Sequence, residues 1–400
     1  MLEILINKNE EENKTIAVME NGKLVEKYTE IKGHERLEGN IYAGVVENVL
    51  IGMQAAFIDI GKEKNTFLHI RDIIPKVSNK TGNKNEELNK HNIKTYIRQG
   101  MPILVQVKKD STSKKGARVS THINLSGRYS VIMPDSEFIT LSKKIEKQEE
   151  RDRLSKIVKQ MLPEGFGAII RTSAEGKSEE LIKEDIQKLI DKWNEISKKY
   201  IDICKQSKVE PLLIYKNEGI IEKLITDLID HDLSRMITDS ESDYIELNNV
   251  LGEIDNGEKI KLELDDQSVL TRYDLADQLE KSNNRKIWLK CGGFITIDKT
   301  EALTAIDVNS GKYIGTKSLE KTVYTVNEEA TIEIAKQIRL RDIGGIIIID
   351  YIDMENEENK EKIVKVLEEN LKKDRSKTQI IGFTPLNLLE MTRKHMWNND

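Results

Sequence analysis

The sequence predicts a multi-domain protein of the α+β class, and three observations lead to this expectation. The chain has 400 residues, more than one ordinary hydrophobic core accommodates. Short strands separated by glycine turns come first, long amphipathic helices follow, and strands alternate with helices towards the end. The composition, 38% hydrophobic and 33% charged, is that of a globular protein.

Composition also excludes several classes of protein. No run of about 18 apolar residues occurs, and the acidic N-terminus differs from a secretory signal, so we expect a cytoplasmic protein without a membrane span. The two cysteines, Cys204 and Cys291, form neither a disulfide framework nor a Cys-x-x-Cys metal motif. The net charge of −6 means that any nucleic-acid binding must come from local patches.

The N-terminal part of the chain predicts short antiparallel strands. Asn21-Gly22 is a hairpin signal between two apolar runs. From Gly39 onward, regular short strands with glycine turns are typical of a small barrel. The expected barrel strands are Ile41–Val46, Ala55–Gly61, Thr66–Ile70 and Ile103–Val107. A polar insertion from Lys76 to Lys94 is expected to be a mobile loop.

The barrel segments around Gly44, Phe57 and Phe67 resemble the S1-type OB fold, a module that binds single-stranded RNA. Phe57, Phe67 and His69 occupy strand positions where bases could stack. The basic residues expected along the RNA backbone are Lys114, Lys115 and Arg118. Because Phe in a strand is usually part of the core, a barrel-core role is the alternative for both phenylalanines.

Two amphipathic helices are predicted in the middle, from Ile145 to Leu162 and from Ser178 to Ser207. Between them lies the pair Arg171-Thr172, followed by a glycine loop that ends at Ser178. This loop fails the P-loop pattern, because Arg171 stands where the first glycine is required. A strand, an Arg-Thr pair and a helix N-terminus remain, and together they can hold one phosphate. The alternative is that Arg171 is an exposed loop residue.

Two later segments each run an apolar strand into an aspartate, at Asp307 and at Asp350. We expect these strands to be buried on both faces, so that their carboxylates are desolvated unless a cation lies beside them. With Asn309 they offer only hard oxygen ligands, which Mg²⁺ prefers. The alternative is that both are ordinary strand-end aspartates.

The elements around these aspartates predict an α/β layer. A hairpin is expected through Lys299-Thr300-Glu301, and a second helix from Lys360 to Lys373. The clearest helix is expected from Asn327 to Arg341, with Asn327 as its N-cap and Gly344 as a left-handed stop. The strand ends would then converge on Asp307 and Asp350.

The full set of motifs is similar to the ribonuclease E/G family, in order and over nearly the whole chain. The matching segments are Ile169–Thr172, Gly292-Gly293, Ala305–Ser310, Ile338–Gly345, Asp350–Met354 and Leu389–Arg393. The resemblance implies an RNase H-like domain interrupted by an S1-type OB-fold β-barrel and a 5′-sensor domain, followed by a DNase I-like α/β catalytic domain. The implied ranges are 1–36 and 218–281 for the RNase H-like domain, 37–126 for the S1 domain, 127–217 for the sensor and 282–400 for the catalytic domain.

The resemblance also implies roles for single residues. Asp307 and Asp350 would be the metal ligands, assisted by Asn309. The RNA contacts in the S1 domain would be Phe57, Phe67 and Lys115. The sensor of a 5′-monophosphate would comprise Arg171 and Thr172, with backbone groups of Gly127 and Val131. Lys377 stands where the family usually has arginine. The lysine ammonium acts as a point charge and cannot bind a phosphate with two hydrogen bonds as a guanidinium does, so we expect a weaker preference for a 5′-monophosphate.

The family usually continues into a Cys-Pro-x-Cys zinc link between two subunits, which this sequence lacks before it ends at Asp400. We therefore expect either a truncated sequence or assembly without zinc, and a homodimer or higher homo-oligomer in either case. The absence of a long tail favours the shorter branch of the family.

The expected function is that of a metal-dependent endoribonuclease that uses Mg²⁺, with Mn²⁺ able to substitute. Its substrate would be single-stranded RNA, such as ribosomal RNA precursors or messenger RNA, and its products would carry a 5′-phosphate and a 3′-hydroxyl. A preference for 5′-monophosphorylated RNA is implied. The alternatives are a non-catalytic S1-type RNA-binding protein, which the retained metal-site residues disfavour, and a metal-dependent DNase, which the S1 barrel disfavours.

Overall fold

The structure is a computed structural model in which the chain forms two compact units. The first unit comprises Met1–His34 and Leu228–Asp400, and the second comprises Glu35–Asp227. The described residues are 1–33, 36–73, 92–111, 115–229, 232–254, 256–312 and 319–397. Within these ranges no helix is long and apolar enough to cross a membrane. Most of the loop expected from Lys76 to Lys94 lies outside the described residues. The α+β class is confirmed, whereas the five domain ranges stay predictions.

Three antiparallel strands begin the first unit: β1 (Leu2–Lys8), β2 (Lys14–Glu20) and β3 (Lys23–Glu30). The predicted hairpin joins β2 to β3. Asn21 and Gly22 have φ angles of 51° and 75°, the left-handed pair of a type I′ turn. Asn-Gly adopts this conformation at little cost, and for this reason the sequence signal was reliable.

The second unit contains the predicted barrel. Its strands are β4 (Ile41–Leu50), β5 (Ala55–Asp59), β6 (Thr66–His69), β7 (Pro102–Lys109) and β8 (Arg118–Ser120). They follow the order β4-β5-β6-β8-β7, and pairing of β4 with β7 closes the barrel. Alternate residues such as Ala56, Ile58 and Leu68 point inward and form its core.

A helix-covered sheet follows in the same unit. Its elements are β9 (Leu125–Ser126), β10 (Ser130–Pro134), β11 (Ile139–Leu141), α1 (Gln148–Met161), β12 (Phe166–Ile170) and α2 (Glu179–Cys204). The strands follow the order β11-β12-β10-β9, and their apolar side chains share one core with both helices. Both predicted helices are confirmed, and the hydroxyl of Ser178 caps α2 by accepting from the Leu181 N–H at 3.4 Å.

The chain then passes through β13 (Leu212–Tyr215), which pairs with β4, and α3 (Ile220–Leu228). The next elements are β14 (Leu233–Thr238), α4 (Glu241–Glu253), β15 (Lys261–Leu264) and α5 (Leu275–Lys281). Strands β14 and β15 extend the N-terminal sheet in parallel with β1, giving the five-stranded order β15-β14-β1-β2-β3.

The last layer is a six-stranded mixed sheet in the order β16-β17-β18-β19-β21-β20. Its elements are β16 (Lys286–Trp288), β17 (Phe294–Lys299), β18 (Leu303–Asn309), α6 (Leu319–Leu340), β19 (Gly345–Asp350), α7 (Glu357–Leu371), β20 (Thr378–Phe383) and β21 (Leu388–Arg393). Strands β18 and β19 are parallel, and the other pairs are antiparallel. Apolar residues of α6 and α7 form one core with this sheet, so the predicted α/β layer is confirmed.

The predicted start of α6 at Asn327 is wrong. The helix is already formed at Leu319, and Asn327 is completely buried in its interior. A cap signal and a polar residue on the apolar face of a helix look alike in sequence, and here tertiary hydrogen bonds decide between them.

The left-handed stop expected at Gly344 is also wrong. Positive φ angles occur at Asp342 (47°) and Gly345 (87°) instead. Aspartate tolerates this conformation, and the Asp342 carboxylate is held by the N–H groups of Met396 and Trp397. At Gly344 the missing Cβ makes room for the His395 ring, which would otherwise lie 2.6 Å from it.

Candidate functional site

Two carboxylates leave neighbouring strands side by side. Asp307 of β18 is the register partner of Asp350 of β19, and the strands run in parallel. Register partners point to the same face of a sheet and lie about 5 Å apart at the backbone. The Nδ2 of Asn309, also on β18, donates a hydrogen bond to Oδ2 of Asp307. The structure therefore brings together all three residues that the sequence predicts for a metal site.

The expectation that both strands are buried on two faces is wrong. In β18 the side chains alternate, with Ile306 and Val308 buried and Asp307 exposed. Asp350 is likewise exposed at the end of β19. Helices α6 and α7 cover one face of the sheet, and the carboxylates lie on the other, open face. An Ile-rich run does not distinguish these arrangements, because isoleucine is also common on half-exposed strands.

The pair is electrostatically strained. Partial burial raises the pKa of the Asp350 carboxyl, and the negative charges of Asp307 and Asp353 raise it further. Asp353 was not singled out from the sequence, although it follows Asp350 closely. A cation between these carboxylates would relieve their repulsion.

The donor set is made of oxygen atoms. Within the described ranges no group of three or more His, Cys, Asp or Glu side chains is arranged to hold a metal ion. The oxygen donors of Asp307, Asp350 and Asn309 are of the kind that a hard cation such as Mg²⁺ takes while it keeps several of its waters.

Asn327 was missed as a functional residue. Its Nδ2 donates to the Ile352 carbonyl at 2.8 Å, and its Oδ1 accepts from the Ile352 N–H at 3.1 Å. One turn further along α6, Thr331 donates to the Tyr351 hydroxyl at 2.8 Å. The side chains of Thr331 and Tyr351 are both buried. The sequence signal was the position of Asn327 on the apolar face of α6, four residues after Val323. Helix α6 thereby fixes the chain directly after Asp350.

The barrel carries an aromatic surface. Phe57 and Phe67 are register partners, with ring centroids 6.3 Å apart at 69°. The centroid of His69 lies 6.5 Å from that of Phe67. All three rings are half-buried and lie outside the barrel core, which takes the alternating residues between them. The barrel-core alternative for the phenylalanines is therefore wrong.

The basic residues near these rings differ in their environment. Arg118 is the register partner of Phe67, and its Nε and Nη2 donate to the Asp72 carboxylate at 3.0 and 2.7 Å. Lys115 is exposed in the loop before β8. Lys114 lies outside the described residues.

Hydrogen bonds join some of the residues that the sequence predicts for a phosphate sensor. Arg171 donates through Nη1 to the Gly127 carbonyl at 2.8 Å and through Nη2 to the Asp227 carboxylate at 2.6 Å. The Thr172 and Ser142 hydroxyls share a hydrogen bond of 2.8 Å. Val131 lies in β10, paired in register with residues of β9 and β12. The Arg171 side chain is 34% exposed and makes these two hydrogen bonds, so the alternative of an ordinary exposed loop arginine is wrong.

In two loops near Arg171, backbone N–H groups that are suited to bind an anion already donate to carboxylates of this chain. Asp185 of α2 accepts from the N–H groups of Arg128 and Tyr129 at 2.8 and 3.2 Å. A Cβ at Gly127 would lie 2.5 Å from this carboxylate, so only glycine allows the approach. The glycine loop before α2 holds Glu150, whose Oε1 accepts from the Gly176 N–H at 2.9 Å. That loop, predicted to suit a phosphate, therefore carries a carboxylate of the chain itself.

Lys377 is exposed next to β20 and belongs to the first unit, whereas Arg171 belongs to the second. Its assignment to the sensor stays a prediction.

Comparison with known proteins gives a consistent result. The model of the Ribonuclease E/G family matches residues 124–396. Ribonuclease G of Salmonella typhimurium is 39% identical over 394 residues, which cover 98% of this chain and 79% of that protein. Ribonuclease G of Haemophilus influenzae is 37% identical over 395 residues, with the same two shares. Ribonuclease E of Escherichia coli K12 is 33% identical over 403 residues, which cover 99% of this chain but 37% of that protein. The expectation of similarity to the shorter branch is confirmed.

Proposed function

The chain belongs to the ribonuclease E/G family and is an endoribonuclease, and we propose that it cleaves single-stranded RNA at a divalent-metal site formed by Asp307 and Asp350. The observation that carries this proposal is the register pairing of the two carboxylates on the open face of the sheet. The proposed substrates are ribosomal RNA precursors and messenger RNA, and the proposed products carry a 5′-phosphate and a 3′-hydroxyl.

Each residue of the site has a proposed task. Asp307 and Asp350 hold the cation, and Asn309 orients the Asp307 carboxylate through its amide hydrogen bond. When bound, Mg²⁺ or Mn²⁺ lowers the pKa of a coordinated water and neutralises charge that develops on the scissile phosphate. Asn327 keeps the segment after Asp350 in place from within α6.

We infer that the barrel is an S1-type domain that holds the RNA. Phe57, Phe67 and His69 lie together outside the barrel core, as a stacking surface requires. Lys115 supplies positive charge in the loop before β8, whereas the charge of Arg118 is paired with Asp72. Paired bases cannot reach such a surface, so double-stranded RNA is expected to be a poor substrate.

We propose further that Arg171 and Thr172 bind a 5′-monophosphate. Arg171 has five N–H donors, and its bonds to Gly127 and Asp227 engage two nitrogens of the guanidinium. A terminal phosphate would share this guanidinium with Asp227 or displace its carboxylate. Lys377 would add a point charge, which supports a modest preference over 5′-hydroxyl RNA.

The proposed architecture follows the family resemblance. The sheet β15-β14-β1-β2-β3 corresponds to the RNase H-like domain, the barrel to the S1 domain, strands β9 to β12 to the sensor, and the six-stranded sheet to the DNase I-like domain. The proposed assembly is a homodimer or higher homo-oligomer.

One assay tests the proposal. A single-stranded RNA labelled at its 5′ end is incubated with the protein and Mg²⁺, and the products are resolved and their ends identified. We expect cleavage that EDTA stops and that Mg²⁺ or Mn²⁺ restores. Cleavage that persists in EDTA would contradict the metal site, and equal cleavage of a DNA strand of the same sequence would contradict the specificity for RNA.

A further inference from the structure

An aromatic pair of one exposed and one half-buried ring lies at one edge of the six-stranded sheet. Trp288 of β16 and Phe294 of β17 are register partners, with ring centroids 5.3 Å apart and ring planes at 62°. The Nζ of Lys286 lies 4.2 Å from the centroid of the Trp288 ring and 3.6 Å from that of the Phe294 ring. The cation thus contacts both π systems. Nothing in the site described above uses these three side chains.

Strand register connects this aromatic pair to the carboxylates. Phe294 is the partner of Asn309, and Thr296, two residues further along β17, is the partner of Asp307. Because register partners and alternate residues share a face, Phe294 and Trp288 lie on the same open face as Asp307 and Asn309. Phe294 is one strand from Asn309, and Trp288 is two strands away, about 10 Å at the usual strand spacing.

The pair is poorly explained as part of the core. The buried apolar residues of β17, Ile295 and Ile297, point to the opposite face and pack with α6. Trp288 is 56% exposed, although tryptophan is among the side chains that gain most from burial. An exposed indole beside a cation and an RNA-cleaving site has the composition of a surface that stacks nucleobases, in which aromatic rings bind bases and basic residues follow the backbone.

We propose that Trp288 and Phe294 form a stacking platform for an unpaired base of the substrate next to the scissile phosphate, and that Lys286 contacts the RNA backbone there. This inference rests on the proposed function, because it takes Asp307 and Asp350 as the cleavage site. The ligand is the base of a flexible single strand, since a base within a duplex keeps its neighbours on both faces. Stacking tolerates every base, so the platform selects for an unpaired nucleotide at this position more than for its identity.

The test is cleavage of a set of RNAs in which a single abasic nucleotide is moved stepwise across the cleavage site. For the wild type we expect one abasic position near that site to lower kcat/KM by about five- to a hundredfold, the usual worth of one base stacked on an aromatic ring. Trp288→Ala should lower kcat/KM on intact RNA to a similar extent and should remove the effect of that abasic position. Trp288→Tyr keeps a ring and is the matched control, expected to retain most of the activity and the abasic effect.

Stability is measured in parallel. Because Trp288 is largely exposed, Trp288→Ala should leave the melting temperature nearly unchanged. An abasic profile identical in wild type and Trp288→Ala would overturn the proposal while leaving the cleavage site intact. The same variant could instead dissociate an oligomer without changing the abasic profile. That result would overturn base stacking and assign the platform to contact with a second copy of the chain.

A binding measurement separates this inference from the proposed function. Stacking of a base should quench the fluorescence of Trp288, so a short single-stranded RNA should quench the wild type more than Trp288→Phe, which retains only Trp193 and Trp397. Quenching without cleavage would contradict the proposed function, and with it the place of the platform beside a scissile phosphate, while showing that a base stacks on Trp288. Cleavage with equal quenching in both proteins would contradict the platform alone.

Discussion

The side-chain amide of Asn327 hydrogen-bonds to both backbone groups of Ile352, donating to its carbonyl at 2.8 Å and accepting from its N–H at 3.1 Å. Asn327 is fully buried in α6, and Ile352 follows Asp350 by two residues. The helix therefore holds the strand end that carries one of the two carboxylates. If Asp350 is a metal ligand, as we propose, this indirect contact sets its position without touching the metal.

Asn327→Ala should raise the Mg²⁺ concentration needed for half-maximal cleavage by about 10- to 100-fold, the usual effect of removing a partner that orients a metal ligand. The measurement is initial cleavage rate against Mg²⁺ concentration, with the melting temperature recorded beside it. Thr331→Val is the matched control, because it removes the bond to the Tyr351 hydroxyl and leaves Ile352 held. If both variants shift the Mg²⁺ dependence equally, Asn327 has a structural role only.

Asp307→Asn or Asp350→Asn should abolish cleavage and leave RNA affinity nearly unchanged, because in the proposed function the carboxylates bind the metal and the barrel binds the strand. Turnover and the dissociation constant of a labelled RNA are measured on the same preparation. Asp298→Asn is the control, since Asp298 lies on the same sheet face and pairs with Arg285. Retention of more than about a tenth of wild-type turnover by either variant is incompatible with a lost metal ligand, which costs several kcal/mol of barrier.

Phe57→Ala and Phe67→Ala should each weaken binding of single-stranded RNA by about 1 to 3 kcal/mol, because each removes a stacking surface. Their melting temperatures should change little, since both rings lie outside the barrel core. Leu68→Ala provides the contrast: Leu68 follows Phe67 in β6 and is fully buried, and its truncation should lower stability by about 2 to 5 kcal/mol. Unchanged affinity in the phenylalanine variants would contradict base stacking on these rings.

RNA with a 5′-monophosphate should be cut faster than the same RNA with a 5′-hydroxyl, and Arg171→Ala should erase the difference without changing the slower rate. Lys377→Arg should enlarge the preference, because a guanidinium binds phosphate with two hydrogen bonds where an ammonium acts as a point charge. Rates on the two RNAs are compared for each protein. Equal rates in the wild type would show that Arg171 serves only to join Gly127 to Asp227.

The ionisation of the Glu26 carboxyl makes the free energy of unfolding depend on pH. Burial alone would raise the pKa of its carboxyl, but the guanidinium groups of Arg375 and Arg339 outweigh burial and lower the pKa to about 2. The folded pKa lies below the unfolded value of about 4.3, so this stabilisation is complete above that value and is lost as the pH falls towards 2. The expected contribution is about 3 kcal/mol at neutral pH.

Glu26→Gln tests this relationship by melting experiments from pH 7 to pH 3. The variant should be less stable at pH 7, because the half-buried guanidinium groups of Arg339 and Arg375 lose their partner, and it should lose less stability on acidification than the wild type. Glu20→Gln, at an exposed position of the neighbouring strand β2, should behave like the wild type. Parallel stability curves for wild type and Glu26→Gln would refute the assignment.

Local signals in the sequence predicted many elements correctly. The Asn21-Gly22 hairpin, the cap at Ser178 and the glycine-punctuated barrel strands depend on residues close together in the chain, so short-range chemistry determines them. The two errors around α6 have the opposite origin. Asn327 and Asp342 hydrogen-bond to segments 25 and more residues away, and no local rule contains those partners.

The sequence by itself determined that two apolar strands end in aspartates, that aromatic residues alternate along barrel strands, and that the motifs are those of the ribonuclease E/G family. Only the tertiary structure decided that Asp307 is the register partner of Asp350 and that both lie on the open face of the sheet. It also decided that the Trp288 and Phe294 rings lie on that same face. The physical reason is strand register. A shift of one residue would turn every side chain of a strand to the other face, and register is fixed by pairing and helix packing across the whole sheet.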